Sequence, residues 1–289
     1  MAQAAPLQAL RARIAALDPA SRDATRSRLS LGDARLDAAL GGGLTLGRWH
    51  ELIGEGLERE TGAAAAAFAA TLCAPLARRG AVIWILRQDD LYAPGLWGLG
   101  FPSTRLIQVR VRRDAEALAA LEESLASPGV AAAVAEVDRI DLVAGRRLHL
   151  ACATHGCTGF VVRRRPFGDA RRLQDPKAGR DESEASPGAA TRWRLAPAPS
   201  SPPSGSLLSG LSDEVASGLG PPRWRAVLDR AQGGRPGAWL VEHVDGAFPL
   251  RVVAELADRS RPSGRAPGPG FGPGQSGEAF AAMPLRRAG

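Results

Sequence analysis

Apolar residues recur at three- and four-residue spacing over Leu7, Leu10, Ile14 and Leu17, which predicts a short amphipathic helix before Pro19. A polar run to Arg28 follows. Trp49 to Ile53 predicts a first buried strand, and Thr61 to Arg79 an alanine-rich helix stopped by Gly80. Ala81 to Leu86 is a continuous apolar run with β-branched residues, the mark of a strand buried on both faces. Arg105 to Val111 predicts another strand, Asp114 to Ala126 a helix, and Gly129 to Val137 a third apolar strand. Asp138 to His155 is helical in pattern, and Thr158 to Arg163 is again a strand. Strands alternating with helices of this length predict βαβ units and a mostly parallel sheet covered on both faces.

Beyond Arg163 the pattern weakens. Residues 164–190 are charged and poor in large apolar side chains, and 197–222 are rich in Pro, Ser and Gly, so both predict flexible inserts. Between them Thr191 to Ala196 alternates as a short strand. Arg223 to Leu228 and Ala238 to Glu242 alternate on either side of AQGGRPG, which predicts a C-terminal β-hairpin at the sheet edge. Three segments result: an N-terminal helix and linker (1–25), a core (26–255) and a disordered tail (256–289). The tail has few large apolar residues apart from the late cluster Phe280, Met283 and Leu285, which sits before two arginines and suits docking onto a partner.

The chain has 289 residues, 45% of them hydrophobic, enough for a sizeable core. Its formal charge is +7, carried almost wholly by arginine, which permits contact with nucleic acid or an acidic protein. Cys73, Cys152 and Cys157 are too few for a disulfide framework and fit a reducing cytoplasm. The longest apolar stretch, Thr61 to Ala77, is mostly alanine and short for a membrane span, so no membrane association is expected.

The chemistry is most legible at residues 54–61. A phosphate-binding loop needs Gly-x4-Gly-Lys-Ser/Thr between a strand and a helix. In the register set by Gly54, Arg59 replaces the second glycine, Glu60 replaces the lysine, and Thr61 keeps the hydroxyl. At about 4 Å and an effective dielectric near 20, a glutamate beside a phosphate charge is repelled by roughly 4 kcal/mol. The remnant therefore predicts a nucleotide-binding scaffold with no nucleotide cofactor.

The order of these pieces, with LSLGDARLDAALGGGL (29–44) leading into the degenerate loop, resembles the RecA-like three-layer core. With RQDDLYAPGL (87–96), TGFVVR (158–163), TRWRLAPAPS (191–200) and PRWRAVLDRAQGGRPGAWLVE (222–242), the chain more specifically resembles the ImuA family. That resemblance implies a non-catalytic accessory role in SOS-induced, error-prone translesion DNA synthesis. The implied partners are an ImuB-like protein, RecA and a second DnaE-type polymerase. It also places the Walker-B aspartate of RecA on Glu136, which keeps a carboxylate able to hold a metal. The general-base position falls at Leu86-Arg87-Gln88, and the phosphate sensor falls on Arg163, Arg164 and Arg165. With lysine, base and sensor all altered, ATP turnover is not expected. A SulA-like cell-division inhibitor is the alternative reading of such a core, and an ATP-dependent recombinase a further one.

Other candidates divide by spacing. Arg163, Arg164 and Arg165, continued by Arg171 and Arg172, occupy the place of RecA's second DNA-binding loop and are candidate DNA or partner contacts. Leu7, Leu10, Ile14 and Leu17 are candidate docking residues, as are Phe280, Met283 and Leu285. His149, Cys152, His155 and Cys157 fall within nine residues, but three of them lie around one helix, so no metal site is expected. Asp89 and Asp90 read as a helix N-cap and turn, and most of the tryptophans as sheet cover.

Overall fold

In the computed structural model the described residues are 26–55, 58–164, 188–200, 220–246 and 249–256, with the backbone alone described over 58–62. The elements in chain order begin with β1 (Arg28–Leu29), α1 (Ala34–Ala39), β2 (Leu44–Thr45), β3 (Trp49–Gly54) and α2 (Glu58–Ala77). They continue through β4 (Ala81–Leu86), β5 (Leu106–Arg110), α3 (Asp114–Ala126), β6 (Val130–Val137), α4 (Leu142–His155) and β7 (Thr158–Arg163). Four strands follow: β8 (Thr191–Ala198), β9 (Arg223–Ala231), β10 (Gly237–His243) and β11 (Leu250–Glu255). The main sheet runs β11-β10-β9-β8-β3-β7-β6-β4-β5. From β8 to β5 neighbouring strands are parallel, whereas β9, β10 and β11 add antiparallel pairings. This is the expected α/β, RecA-like core.

Two cores explain the layering. On one face α2 lays Phe68, Leu72 and Leu76 against Leu52, Trp84, Phe160 and Trp193. On the other, α3 and α4 bring Leu121, Leu125 and Leu148 onto Trp49, Ile85 and Val161. The alternation along each strand sends successive side chains to these two faces. Three of the tryptophans expected to cover the sheet do so around α2. Phe68 lies with its ring centroid 5.7 Å from Trp193 and 5.6 Å from Trp224, and Trp193 lies 6.4 Å from Trp239. Trp97 is exposed, its indole donating to Ser103 Oγ at 3.0 Å.

The hydrophobic pattern located most elements closely, and its errors have local causes. α4 starts at Leu142 rather than near Asp138, because Asp141 caps it by accepting from Ala144 N at 2.7 Å. α2 starts at Glu58, so Arg59, Glu60 and Thr61 lie in its first turn. The expected hairpin exists as β9–β10, but it extends the sheet alongside β8, and β11 forms the outer edge. Asp89 and Asp90 do not cap a helix. The 3-10 helix Ala93–Leu99 has Tyr92 at its N-cap, and the two aspartates pair with Arg110 and Arg164.

The approach to β3 is fixed by polar contacts. Gly41, Gly42 and Gly43 all have positive φ, which lets the chain turn back from α1 into β2. A Cβ on Gly43 would lie 2.6 Å from the Leu29 carbonyl oxygen, so that turn admits only glycine. Inside the fold, fully buried His50 donates from Nε2 to the Thr45 carbonyl at 3.0 Å. Its Nδ1 then accepts from Thr191 Oγ1 at 2.8 Å, while that hydroxyl accepts from Trp193 Nε1 at 3.0 Å. Burial lowers the His50 pKa from 6.5 to about 4, with the Thr45 carbonyl opposing.

Two outcomes follow. Thr191→Val strands both His50 Nδ1 and Trp193 Nε1, and urea unfolding should show a loss of ~2 kcal/mol or more. Because His50 is neutral when folded, the unfolded chain takes up its proton first as the pH drops below 6.5. Stability should therefore fall between pH 6.5 and about 4, by about 3 kcal/mol from this group. Burial lowers His243 as well and adds the same sign. Unfolding measured across that range should lose most of its slope in His50→Gln.

Candidate functional site

Ligands of open parallel sheets bind outside the carboxyl ends of the strands. In this chain the described strand ends carry carboxylates paired with arginines. β3 crosses the middle of the sheet, and its Glu51, fully buried, points to the α3–α4 side with Trp49. From β7, Arg163 donates to Glu51 Oε1 at 3.0 Å, and from β8, Arg192 donates to Oε2 at 2.7 Å. One carboxylate thus joins three adjacent parallel strands.

The same pattern continues across β8 to β11. Trp193 and Leu195 of β8 enter the α2 core, so Arg192 and Arg194 face the other way. Arg194 donates to Glu55 Oε1 at 2.6 Å and, from Nε, to Asp229 Oδ2 at 2.9 Å. Arg225 of β9 reaches the second oxygen of Glu55. Glu55 also donates its backbone N–H to the Leu195 carbonyl at 2.8 Å. Further out, Glu242 of β10 sits between Arg223 at 2.6 Å and Arg251 of β11. Each of these carboxylates meets arginines from other strands of the sheet, and opposite charges on facing strands favour the pairing.

A second clamp lies on the α2 side. Glu136, at the end of β6 and 2% exposed, accepts from Trp84 Nε1 at 2.8 Å and from Arg164 Nη1 at 2.7 Å. Arg164 also forms a two-pronged pair with Asp90, at 2.9 and 2.7 Å. Burial raises the Glu136 pKa, and Arg164 and Trp84 pull part of that shift back. Asp90 is held below the usual carboxylate range by its bonds to Arg164.

The candidate residues are distributed as follows. Gly54 ends β3, and the backbone of Arg59, Glu60 and Thr61 forms the start of α2. Arg163 and Arg164 are turned inward onto Glu51, Glu136 and Asp90. Arg165, Arg171 and Arg172 lie outside the described residues, as do Leu7, Leu10, Ile14 and Leu17 and the cluster Phe280, Met283 and Leu285. Cys152 and Cys157 are buried, with pKa values pushed up to about 12 and about 11, mainly by burial. His149 lies 2.7 Å from Arg48 Nη1, and the described residues contain no cluster of three or more metal-ligating side chains.

Sequence reasoning missed Glu51, Arg192, Arg194, Arg225, Asp229 and Glu242. Their signal was the Arg-Trp-Arg spacing that occurs twice, at 192–194 and 223–225, which puts each tryptophan on one sheet face and both arginines on the other.

The chain is 50% identical over 236 residues to Protein ImuA of Caulobacter vibrioides NA1000/CB15N, covering 80% of this chain and 90% of the relative. The same figures hold for Protein ImuA of the strain ATCC 19089. The chain belongs to the ImuA family. No family model matches it. In this ImuA-family chain Glu55, the residue that follows β3, has Arg194 and Arg225 as partners. No helix among the described residues is long and apolar enough to cross a membrane.

Exposure separates the pairs in energy. Removing one partner of a buried pair costs about 3–5 kcal/mol, because the remaining charge stays desolvated. Exposed pairs contribute about 1 kcal/mol or less. Arg192→Ala, beside fully buried Glu51, should destabilise strongly in urea titrations. Arg225→Ala, whose side chain is 42% exposed, should change the midpoint little.

Proposed function

We propose that this protein is a nucleotide-independent, RecA-like accessory factor of damage-induced mutagenesis. In this reading it works in the cytoplasm beside an ImuB-like protein, RecA and a second DnaE-type polymerase. Family membership supports the cellular role. The observation that carries the mechanism is the engagement of Glu136 and Glu55 by arginines. A Walker-type ATPase needs a carboxylate at the Glu136 position free to organise magnesium, and an open loop after β3 for phosphates. Here Glu136 is held by Arg164 and Trp84, and the Glu55 side chain and backbone N–H are tied to β8 and β9.

Phosphoryl transfer is driven by positioned charge, so a site with Glu60 in the lysine register has lost its main attraction for a triphosphate. The surviving function of the fold is then to present surfaces. The +7 charge suits acidic protein or nucleic-acid partners. The candidate DNA or partner contacts Arg165, Arg171 and Arg172 and the apolar cluster Phe280, Met283 and Leu285 belong to this reading.

The test is complementation of damage-induced mutagenesis in a strain lacking the gene. Thr61→Ala removes the hydroxyl that would hold magnesium, and it should restore mutagenesis to the wild-type level. Restoration by the wild type but not by Thr61→Ala, with the variant folded and equally abundant, would return the protein to the ATP-driven class. Failure of the wild type itself to restore mutagenesis would remove the cellular role.

A further inference from the structure

The segment between β4 and β5 sets two aromatic side chains on the surface. Tyr92 is 73% and Trp97 70% exposed, whereas the other five tryptophans are buried. The backbone beneath them is firmly held. In the 3-10 helix Ala93–Leu99, Leu96 and Leu99 fall on one stripe and enter the α2 core with Phe101. Gly100 closes that helix in the left-handed conformation, its N–H donating to the Trp97 carbonyl at 2.9 Å. The inner stripe leaves Tyr92, Gly95, Trp97 and Gly98 on the outside.

The two glycines keep this shelf open. A Cβ on Gly95 would lie 3.2 Å from Tyr92 Cδ1, so the phenol ring rests against that glycine. A Cβ on Gly98 would meet nothing within 4 Å. Trp97 Nε1 already donates to Ser103 Oγ at 3.0 Å, which holds the ring and leaves its hydrocarbon outside. An exposed tryptophan with a satisfied N–H on a fixed backbone is a preorganised anchor for a protein partner.

The charge around the rings says what kind of partner fits. Ser103 opens the 3-10 helix Ser103–Arg105, whose last residue is exposed and has no carboxylate partner among the described residues. On the Tyr92 side both carboxylates are engaged, Asp89 by Arg110 and Asp90 by Arg164. From Arg87 to Arg113 the chain holds five arginines against those two aspartates. The surplus is positive, so the complementary surface is acidic. Aromatic rings beside arginine also suit single-stranded nucleic acid. A phosphate on every nucleotide would, however, bring charge against Asp89 and Asp90, whereas a peptide can place its carboxylate at Arg105 alone.

We propose that the Tyr92–Trp97 shelf docks an acidic segment of a partner protein, which lays apolar side chains on the two rings and sets a carboxylate against Arg105. Docking here is independent of the cellular role proposed above.

Panning a library of random linear peptides against the full-length protein tests it. Selected peptides should combine Leu, Phe or Trp with Asp or Glu. In fluorescence anisotropy with those peptides, Trp97→Ala should weaken binding about tenfold or more, and Arg105→Glu should weaken it in the same direction. Gly98→Asp adds a charge in open space at an ordinary φ, so it should block binding and leave the unfolding temperature unchanged. Recovery of no binding peptide, of peptides without acidic residues, or of peptides indifferent to Trp97→Ala and Gly98→Asp would overturn the proposal. Binding of a labelled single-stranded oligonucleotide that Trp97→Ala abolishes would overturn it in favour of nucleic acid. Self-association in sedimentation that the same change abolishes would overturn it in favour of a second copy.

Discussion

Glu51 is the constraint around which the sheet is arranged. A fully buried carboxylate is costly to desolvate, and it is tolerated here because Arg163 and Arg192 meet its two oxygens from the strands on either side. That requirement ties β7, β3 and β8 together in their parallel register, with Glu51 inside β3, Arg192 near the start of β8 and Arg163 at the end of β7. The strands that follow repeat the solution, with Arg194 and Arg225 on Glu55 and Arg223 and Arg251 on Glu242. Internal charge pairs thus cross the RecA-like sheet from β7 to β11.

Under the proposed function, the strand ends do a different task. In a nucleotide-driven switch, charge at this edge is neutralised by a ligand that comes and goes, and the fold moves with it. In this ImuA-family chain such charges pair with one another, and under the proposed function the edge needs no nucleotide. Arg164 illustrates the exchange. It follows the strand where RecA-like proteins place a sensor, and it bridges Glu136 of β6 to Asp90 of the loop after β4. In the structure it holds two carboxylates together.

How much of this was legible in the sequence depended on whether a signal was local. α3 and β7 were read to the residue, since an amphipathic or apolar run bounded by polar residues defines its own ends. β11 was not read. Leu250–Glu255 is short and its partner β10 is what makes it a strand. The RecA-like order and the inverted charge of the loop were legible because glycine, lysine and hydroxyl positions have fixed spacing. The ladder was not, because each arginine read singly is a surface residue. Only the sheet register sets Arg192 beside Glu51, and Arg194 between Glu55 and Asp229.

The central claim is that internal ion pairs have replaced the nucleotide at the strand ends. Calorimetric titration of the full-length protein with ATP and magnesium tests it most directly. The expected result is no saturable heat and no rise in thermal stability at the highest nucleotide concentration used. Micromolar binding, accompanied by a matching rise in unfolding temperature, would mean that the ladder opens to admit a triphosphate and would contradict the account.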